Sequence, residues 1–313
     1  GGYMLYFIVN EKSKSGNAKQ IWKEIEEVLK VRNVSYQAFV SEYRGHAGKL
    51  AAEICAMDDN DICLVAVGGD GTANEVINGM THFEKVRFGV IPTGSGNDLA
   101  RGLSLSKDPK NGAIHILNAM KKSREDTWCM DLGEVNFGEK KRLFAISAGI
   151  GLDALVCKKA LKSTIKDILN KIRLGKLTYL VLTVQSLFTM QTADAEIFFD
   201  REEGLQKKRM IFTAAMNFKA EGGGVPMAPA ASACDGKLSF CEAAGIPKWR
   251  TFLCLPFLVA AKHTSIHGFS VTDAKDCTIR LSRPMVVHAD GEYCGEVTEV
   301  HFHCLPGKLR VLK

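Results

Sequence analysis

A short apolar run at residues 62–67 leads directly into a Gly-Gly-Asp-Gly-Thr turn at residues 68–72. A continuous apolar run of this length is typical of a strand that is buried on both faces of a parallel sheet. The three glycines of the turn lack a Cβ atom, so the backbone there can adopt positive φ and a phosphate can approach it closely. Thr72 followed by Glu75 is a capping-box pattern, which predicts a helix that begins at Thr72.

A helix that begins straight after a glycine turn offers unpaired N–H groups and a favourable dipole to an anion. Asp70 lies at the carboxyl end of the strand, where open α/β sheets bind their ligands. The alternative is a plain strand-to-helix turn in which Asp70 bonds its own loop. The acid in the middle of the turn, together with the capping box, favours phosphate chemistry.

A second turn with the same character follows the next predicted strand, at residues 88–91. Residues 92–98 combine two glycines, two hydroxyls, an amide and a carboxylate directly before a short helix. Ser95 and the glycine N–H groups can hold phosphate, and Asp98 can bind Mg²⁺ directly or through water. A helix capped by Ser, Asn or Asp explains this turn alone equally well. Two such turns at the ends of two strands favour a nucleotide site.

Length and composition set the wider frame. With 313 residues the chain exceeds what one hydrophobic core usually serves, so two domains are expected. A net charge of +6 suits an anionic substrate or a membrane surface without requiring either. Membrane spans are not expected, because no run of eighteen or more apolar residues occurs.

The ten cysteines include no Cys-x-x-Cys pair. Cys55, Cys63, Cys254 and Cys304 lie in apolar runs and are interpreted as small core residues. This usage indicates a reducing cytoplasm rather than a disulfide framework or a zinc site.

The pattern of predicted strands and helices changes near residue 130. Before it, strands alternate with helices at 47–57 and 73–80, and His46 is interpreted as a helix-start residue. After it, short strands predict an antiparallel sandwich or barrel; they are placed at 132–135, 142–146, 195–199, 210–215, 238–243, 279–281, 285–287 and 297–303. A helical stretch at 154–190 carries a basic run that reads as a solvated face. The apolar helix at 249–261 is interpreted as core, with a lipid-pocket or interfacial role as the alternative.

Two loops of the second half carry acids. A Gly-Gly-Gly sequence at residues 222–224 requires unusual backbone angles. Asp235 can take a cation with nearby carbonyl groups, although an ordinary Asp-Gly turn is the simpler account. Asp290 and Gly291 occupy a hairpin position, and nothing in the local pattern makes Glu292 catalytic.

Taken in order, these motifs closely resemble the diacylglycerol kinase catalytic family, and the chain is similar to its soluble bacterial lipid kinases, relatives of the sphingosine kinases. The resemblance spans nearly the whole chain. It rests on the motifs at residues 68–75, 92–98, 149–154, 222–236 and 290–292. The first motif alone is shared with NAD kinases and resembles that of phosphofructokinases, whereas the full ordered set is more specific.

The resemblance implies a fold of two domains. Residues 1–130 would form an N-terminal three-layer α/β nucleotide-binding domain of the NAD kinase and phosphofructokinase type. Residues 131–313 would form a C-terminal β-sandwich for the lipid substrate, with a C-terminal segment that is free to return to the first domain. The active site would lie in the cleft between the two.

It also implies an activity, transfer of the γ-phosphate of ATP to a lipid hydroxyl such as that of diacylglycerol, with Mg²⁺ as cofactor. Glu292 would be the general base, with Asp70 and Asp98 at the Mg²⁺ and phosphate end. The nucleotide would be held by Ser41, Gly68, Gly69, Asp70, Gly71, Thr72, Asn74, Gly94, Ser95 and Asn97. A second, structural Mg²⁺ is implied at Asp235 with backbone oxygens of Ser232 and Lys237.

Ser95 stands where many bacterial members carry Thr, which keeps the hydroxyl. The implied setting is cytoplasmic, with peripheral contact at the inner membrane surface and no nucleic acid, and a homodimer is the default assembly. The alternatives are an NAD kinase-like enzyme with a soluble acceptor and a non-catalytic nucleotide- or lipid-binding regulator.

Overall fold

The computed structural model describes residues 4–12, 17–162, 175–200 and 203–313. Within it the chain divides into two compact units. The first unit comprises Gly1–Asp131 and Pro306–Lys313, and the second comprises Leu132–Leu305.

The first unit alternates strands and helices. Its strands are β1 (Met4–Val9), β2 (Gln37–Val40), β3 (Ile62–Gly68) and β4 (Val86–Pro92). Its helices are α1 (Ala18–Val31), α2 (His46–Cys55), α3 (Asp70–Gly79), α4 (Asp98–Gly102) and α5 (Pro109–Ala119). The predicted helices at 47–57 and 73–80 correspond to α2 and α3, and His46 is the first residue of α2.

The four strands form a parallel sheet in the order β2-β1-β3-β4. The last residues of the chain extend this sheet, because Val311 pairs in parallel beside Phe88. Helices α1 and α5 pack on one face over the alternate residues Leu5, Phe7 and Val9 of β1. Helices α2 and α3 contact each other and the strands β1 and β3. Every residue of β3 and β4 is buried, and for β3 this confirms what the continuous apolar run predicts.

The second unit is mainly antiparallel. Its strands are β5 (Trp128–Phe137), which begins in the first unit, β6 (Lys140–Phe144), β7 (Ser147–Gly151), β8 (Ala193–Phe199), β9 (Leu205–Met210), β10 (Phe212–Met216), β11 (Leu238–Ala243), β12 (Phe269–Ala274), β13 (Asp276–Ala289) and β14 (Glu292–Val311). Its helices are α6 (Leu152–Lys162), α7 (Gly175–Thr189) and α8 (Lys248–Val259).

The long strand β13 joins two groups of strands. Its first half, as far as Leu281, pairs with β8, which in turn pairs with β9. Its second half, from Val287, pairs with β7, and the sheet continues through β10 and β11 to β12. An irregularity in its pairing with β14 lies between Arg280 and Met285. Buried residues of this unit, among them Ile150, Phe240 and Phe302, pack into one hydrophobic core.

Several boundaries differ from the sequence-based expectation. The stretch predicted as helical from 154 to 190 contains α6 and α7, and residues 163–174 lie outside the described residues. The strands expected at 279–281 and 285–287 are parts of one strand, β13. Strand β7, with its two glycines, was not predicted because Gly149 and Gly151 weaken the strand pattern. Among the described helices, none has the length and apolarity needed to cross a bilayer.

Candidate functional site

The parallel pairing of β3 with β4 brings the two glycine turns side by side. Gly68 pairs with Pro92, and the Thr93 N–H donates to the Gly68 carbonyl oxygen at 2.9 Å. A Cβ atom on Gly94 would lie 2.9 Å from the Gly69 Cα atom, closer than real Cβ contacts. Glycine is therefore needed at position 94, where one backbone approaches the other.

The expectation that the first turn uses positive φ is wrong. The backbone does not have positive φ at Gly68, Gly69 or Gly71, and φ of Gly69 is −86°. Glycine is required at position 68 for space, because a Cβ atom there would lie 2.5 Å from the Thr72 hydroxyl oxygen.

The prediction of a capping box at Thr72 is also wrong. Helix α3 begins at Asp70, with Gly69 as its cap residue and no side-chain capping bond. Thr72 is already inside the first turn, and its hydroxyl oxygen accepts a hydrogen bond from Asn10 Nδ2 at 3.0 Å, at the end of β1. An α-helix leaves the N–H groups of its first turn without partners inside the helix. In α3 these groups still lie next to the glycine turn.

The Asp70 carboxylate joins the two turns. It accepts the backbone N–H groups of Asp98 at 2.9 Å and Leu99 at 3.1 Å. These two amides open helix α4, so Asp70 supplies the negative charge that a helix N-terminus favours. The alternative in which Asp70 bonds only its own loop does not describe these contacts.

The second turn is held by two side chains that follow Gly96, those of Asn97 and Arg101. Asn97 exchanges two hydrogen bonds with the Gly94 backbone, at 2.7 and 3.0 Å, and makes no capping bond to α4. Arg101 pairs with the Asp98 carboxylate and donates to the Gly96 carbonyl oxygen at 2.8 Å. The alternative of a side-chain-capped helix therefore fails for Asn97.

The two acids meet at Gly96. A Cβ atom built on Gly96 would lie 3.3 Å from Asp70 Oδ2 and 3.9 Å from Asp98 Oδ2. Both carboxylates supply hard oxygen donors near Gly96, the chemistry that Mg²⁺ prefers, and Asp98 is at the same time paired with Arg101. The residues present fit the implied Mg²⁺.

The other predicted nucleotide residues lie at or near the same sheet edge. Ser41 follows β2 and is buried, and its N–H donates to the Val9 carbonyl oxygen at 2.9 Å. Ser95 is exposed at the tip of the second turn. Asn74 is buried one turn into α3, where its carboxamide oxygen accepts from Asn78 at 3.2 Å. The predicted residues thus lie at or just beyond the carboxyl ends of three strands, β2, β3 and β4.

In the second unit the predicted general base follows a tight hairpin. Asp290 and Gly291 connect β13 to β14 with φ of 48° and 81°, as a two-residue Asp-Gly hairpin predicts. Glu292 is the first residue of β14 and is half-buried. Its neighbour Asp290 does more than turn the chain, because its buried carboxylate accepts three backbone N–H groups, those of Ala145, Ile146 and Ser147, at 2.8, 2.8 and 3.1 Å. The sequence pattern carried no signal for this anchor.

A buried cluster behind this hairpin was also missed. His288 Nε2 lies 2.9 Å from an Asp153 carboxylate oxygen and 4.0 Å from Glu221 Oε2. Ser147 donates a short hydrogen bond to Glu221. Burial lowers the pKa of His288, but Asp153 above all, with Glu221 and Asp290, outweighs it and raises the pKa to about 9.

The cluster bonds the hairpin directly. The Gly291 nitrogen lies 3.2 Å from His288 Nδ1, so the ring contacts the turn; the Gly291 N–H can donate to this atom only when the ring is neutral, whereas the pair with Asp153 favours the charged ring. The ring therefore links Asp153, at the start of α6, to the turn that precedes Glu292. The motif at residues 149–154 gave the only sequence signal for this cluster.

The implied structural metal site is a loop of exposed residues. Asp235 Oδ1 accepts the Lys237 N–H at 3.0 Å, and Gly236 has φ 72°, which is the Asp-Gly turn of the simpler account. Ser232 Oγ lies 3.4 Å from the Cys234 N–H. A carboxylate with backbone oxygens is a donor set that fits Mg²⁺. The glycines at 222–224 all have positive φ, as predicted.

Two family profiles match the chain. The diacylglycerol kinase catalytic domain matches residues 4–130, and the YegS C-terminal NAD kinase beta sandwich-like domain matches residues 147–313. The "Putative lipid kinase YtlR" of Bacillus subtilis is 29% identical over 311 residues, which are 98% of each chain. A diacylglycerol kinase of Bacillus subtilis is 28% identical over 251 residues, 78% of this chain and 75% of that one.

Solved structures share the fold. A "putative diacylglycerol kinase" from Bacillus anthracis superposes with a TM-score of 0.77 at 21% identity, covering 99% of this chain and 97% of the other. An NAD kinase from Archaeoglobus fulgidus, solved in complex with ATP, gives a TM-score of 0.52 at 12% identity over 99% and 94% of the two chains. The predicted fold class, an α/β domain followed by a β-sandwich domain, is confirmed.

Proposed function

Since the chain belongs to the diacylglycerol kinase catalytic family, with the β-sandwich domain of its YegS-type members, we propose that it is an ATP-dependent lipid kinase. The observation that carries the proposal is the pair of glycine turns that Asp70 joins at the carboxyl ends of β3 and β4. Backbone N–H groups and paired carboxylates at such an edge suit a nucleoside triphosphate.

The proposed reaction transfers one phosphoryl group. The oxygen of a lipid hydroxyl attacks the γ-phosphorus of ATP, the bond from that phosphorus to the β–γ bridging oxygen breaks, and ADP leaves. Glu292 takes the proton of the hydroxyl, as a carboxylate general base. Phosphoryl transfer needs positioning and charge neutralisation rather than covalent help, and N–H groups of the glycine turns would supply part of both.

Asp70 and Asp98 would hold Mg²⁺, which when bound neutralises phosphate charge. Their convergence at Gly96 supports this assignment. Ser41, Thr72, Asn74 and Ser95 would contact the nucleotide. A second Mg²⁺ at Asp235, with carbonyl oxygens of Ser232 and Lys237, would stabilise its loop without taking part in the reaction.

The lipid acceptor is proposed as diacylglycerol or a related lipid with a free hydroxyl. The test is transfer of a radiolabelled γ-phosphate from ATP, with Mg²⁺, to a panel of micellar lipids beside NAD and sugars. Label in a lipid alone supports the proposal. Label in NAD alone overturns it in favour of an NAD kinase-like enzyme, and ATP binding with no label in any acceptor favours a regulator.

A further inference from the structure

Helix α8 is apolar on nearly every side, yet only one stripe of it is buried. Thr251, Cys254 and Leu258 face the core of the second unit. Trp249, Leu253 and Phe257 follow one another at intervals of four residues on another side, and all three are exposed. A helix that is apolar all round is normally buried on all sides, so this second stripe lacks an explanation within the unit.

The exposed stripe continues onto a second helix. The rings of Phe252 and Phe188 of α7 lie 6.0 Å apart between centroids. Lys248 Nζ donates to the carbonyl oxygens of Phe188 and Met190, which fixes the start of α8 against the end of α7. We name this surface the α7–α8 face and define it by Phe188, Trp249, Phe252, Leu253, Phe257 and Val259, all of which are exposed.

The charge of the residues around α8 indicates what binds to the α7–α8 face. Residues 244–268 carry three basic residues, Lys248, Arg250 and Lys262, and no acidic residue. Of these, Arg250 and Lys262 are exposed. Exposed Trp and Phe beside Lys and Arg are the composition of helices that lie in the interface of an anionic bilayer. A two-fold contact between two copies would instead place these like charges against one another.

We propose that the α7–α8 face docks the protein on an anionic lipid bilayer, with α8 lying in the plane of the interface. The inference deepens the proposed function, since it gives a lipid kinase its route to the substrate, and it rests on that function for its purpose alone. Vesicle binding is measured without ATP or transfer, so the two proposals fail separately.

The test compares two matched variants in vesicle flotation. Leu253→Glu alters the face, and Leu205→Glu makes the same change in β9 of the same unit, where the leucine is 50% exposed against 57% for Leu253. On vesicles of phosphatidylcholine with phosphatidylglycerol, Leu253→Glu is expected to lower the partition coefficient at least about tenfold. The Leu205→Glu variant keeps the wild-type value.

Arg250→Glu tests the charge. Each basic residue near an anionic surface contributes about fivefold in binding, so this reversal is expected to weaken partitioning at least about that much. The loss should disappear on vesicles of phosphatidylcholine alone. Trp249 is the most exposed of the three tryptophans, so its emission should shift to the blue on binding and be quenched by brominated lipids.

Three results would overturn the proposal: no partitioning of the wild-type protein into anionic vesicles, equal partitioning of the Leu253 and Leu205 variants, or unquenched Trp249. A wild-type dimer in sedimentation that Leu253→Glu converts to a monomer, without vesicle binding, would assign the face to a second copy. Failure of the proposed function would give a different result: the protein would bind vesicles but would not transfer phosphate to a short-chain, water-soluble lipid.

Discussion

The carboxylate of Asp70 accepts the backbone N–H of Asp98 at 2.9 Å, and this bond joins two turns that lie 28 residues apart in the chain. A second bond, from the Leu99 N–H at 3.1 Å, fixes the orientation of the carboxylate. Because both turns follow neighbouring strands, one acid positions the start of α4 and contributes charge at the proposed phosphate end. Asp70 therefore has a structural and a proposed chemical role.

Replacing Asp70 with Asn separates these roles. An amide oxygen can still accept one of the two N–H groups, but the amide nitrogen faces the other, and the negative charge is lost. We expect kcat/KM for phosphoryl transfer to fall at least about 100-fold in steady-state assays. Asp108→Asn, at the exposed cap of α5, changes the same charge in the same unit and should leave activity intact. Equal activity of the two variants would contradict the role of Asp70.

Gly94→Ala tests the close approach of the two turns. The added methyl group would lie 2.9 Å from the Gly69 Cα atom and 3.1 Å from Asn97 Oδ1, so the turns must move apart. We expect unfolding free energy to fall by about 1–3 kcal/mol and ATP affinity to fall with it.

Denaturant titration and calorimetric ATP titration measure the two effects. Gly112→Ala in α5 is the control, because its methyl group would meet Ile91 at an ordinary 3.6 Å. Unchanged ATP affinity in Gly94→Ala would show that the separation of the turns is irrelevant to the nucleotide.

The anchor of the Glu292 hairpin predicts a loss of stability. Asp290→Ala leaves three buried N–H groups, those of Ala145, Ile146 and Ser147, without their acceptor. Each such donor is expensive to leave unpaired, so we expect the unfolding free energy to fall by at least about 3 kcal/mol. Asp194→Ala removes an exposed carboxylate that accepts the Arg209 N–H, and denaturant titration should show a much smaller change. Similar losses in both variants would argue against the anchor.

His288 predicts how stability depends on pH. Its pKa is raised from 6.5 to about 9 because neighbouring carboxylates outweigh burial. A group whose pKa is higher in the folded state stabilises the fold fully below its unfolded pKa, and that stabilisation is lost as the pH rises through the folded pKa. Between pH 6.5 and pH 9 the wild-type protein should therefore lose on the order of 2 kcal/mol through this residue.

The difference between wild type and His288→Gln in urea titrations over this pH range isolates the effect. His267→Gln, an exposed histidine of the same unit, is the control and should follow the wild-type curve. A His288→Gln protein with the same pH slope as the wild type would refute the assignment.

The sequence predicted most of what is local. The buried strand β3, the Asp-Gly hairpin before Glu292 and the positive φ of residues 222–224 follow from short patterns, and the family motifs predicted the fold class. The capping box at Thr72 failed because the hydroxyl bonds Asn10, 62 residues away, instead of its own helix.

Contacts between distant residues account for what sequence alone missed. The backbone N–H groups that donate to Asp290 lie about 145 residues earlier in the chain. His288 contacts Asp153, which is 135 residues away in sequence. These pairs depend on β7 lying beside β13, a strand order that no local pattern encodes. The two acids of the glycine turns were predicted individually, whereas the Asp70 bond to the α4 amides was not.

The most direct test of the account measures transfer of labelled γ-phosphate to lipid by Glu292→Gln, beside Glu299→Gln and with ATP affinity measured in parallel. An amide cannot take the proton of the lipid hydroxyl, so Glu292→Gln should retain ATP affinity and lose about 100- to 10,000-fold in kcat. Glu299 is exposed on the same strand, where it pairs with Arg280 at the surface, so its variant should keep wild-type turnover. Wild-type turnover in Glu292→Gln would contradict the central claim.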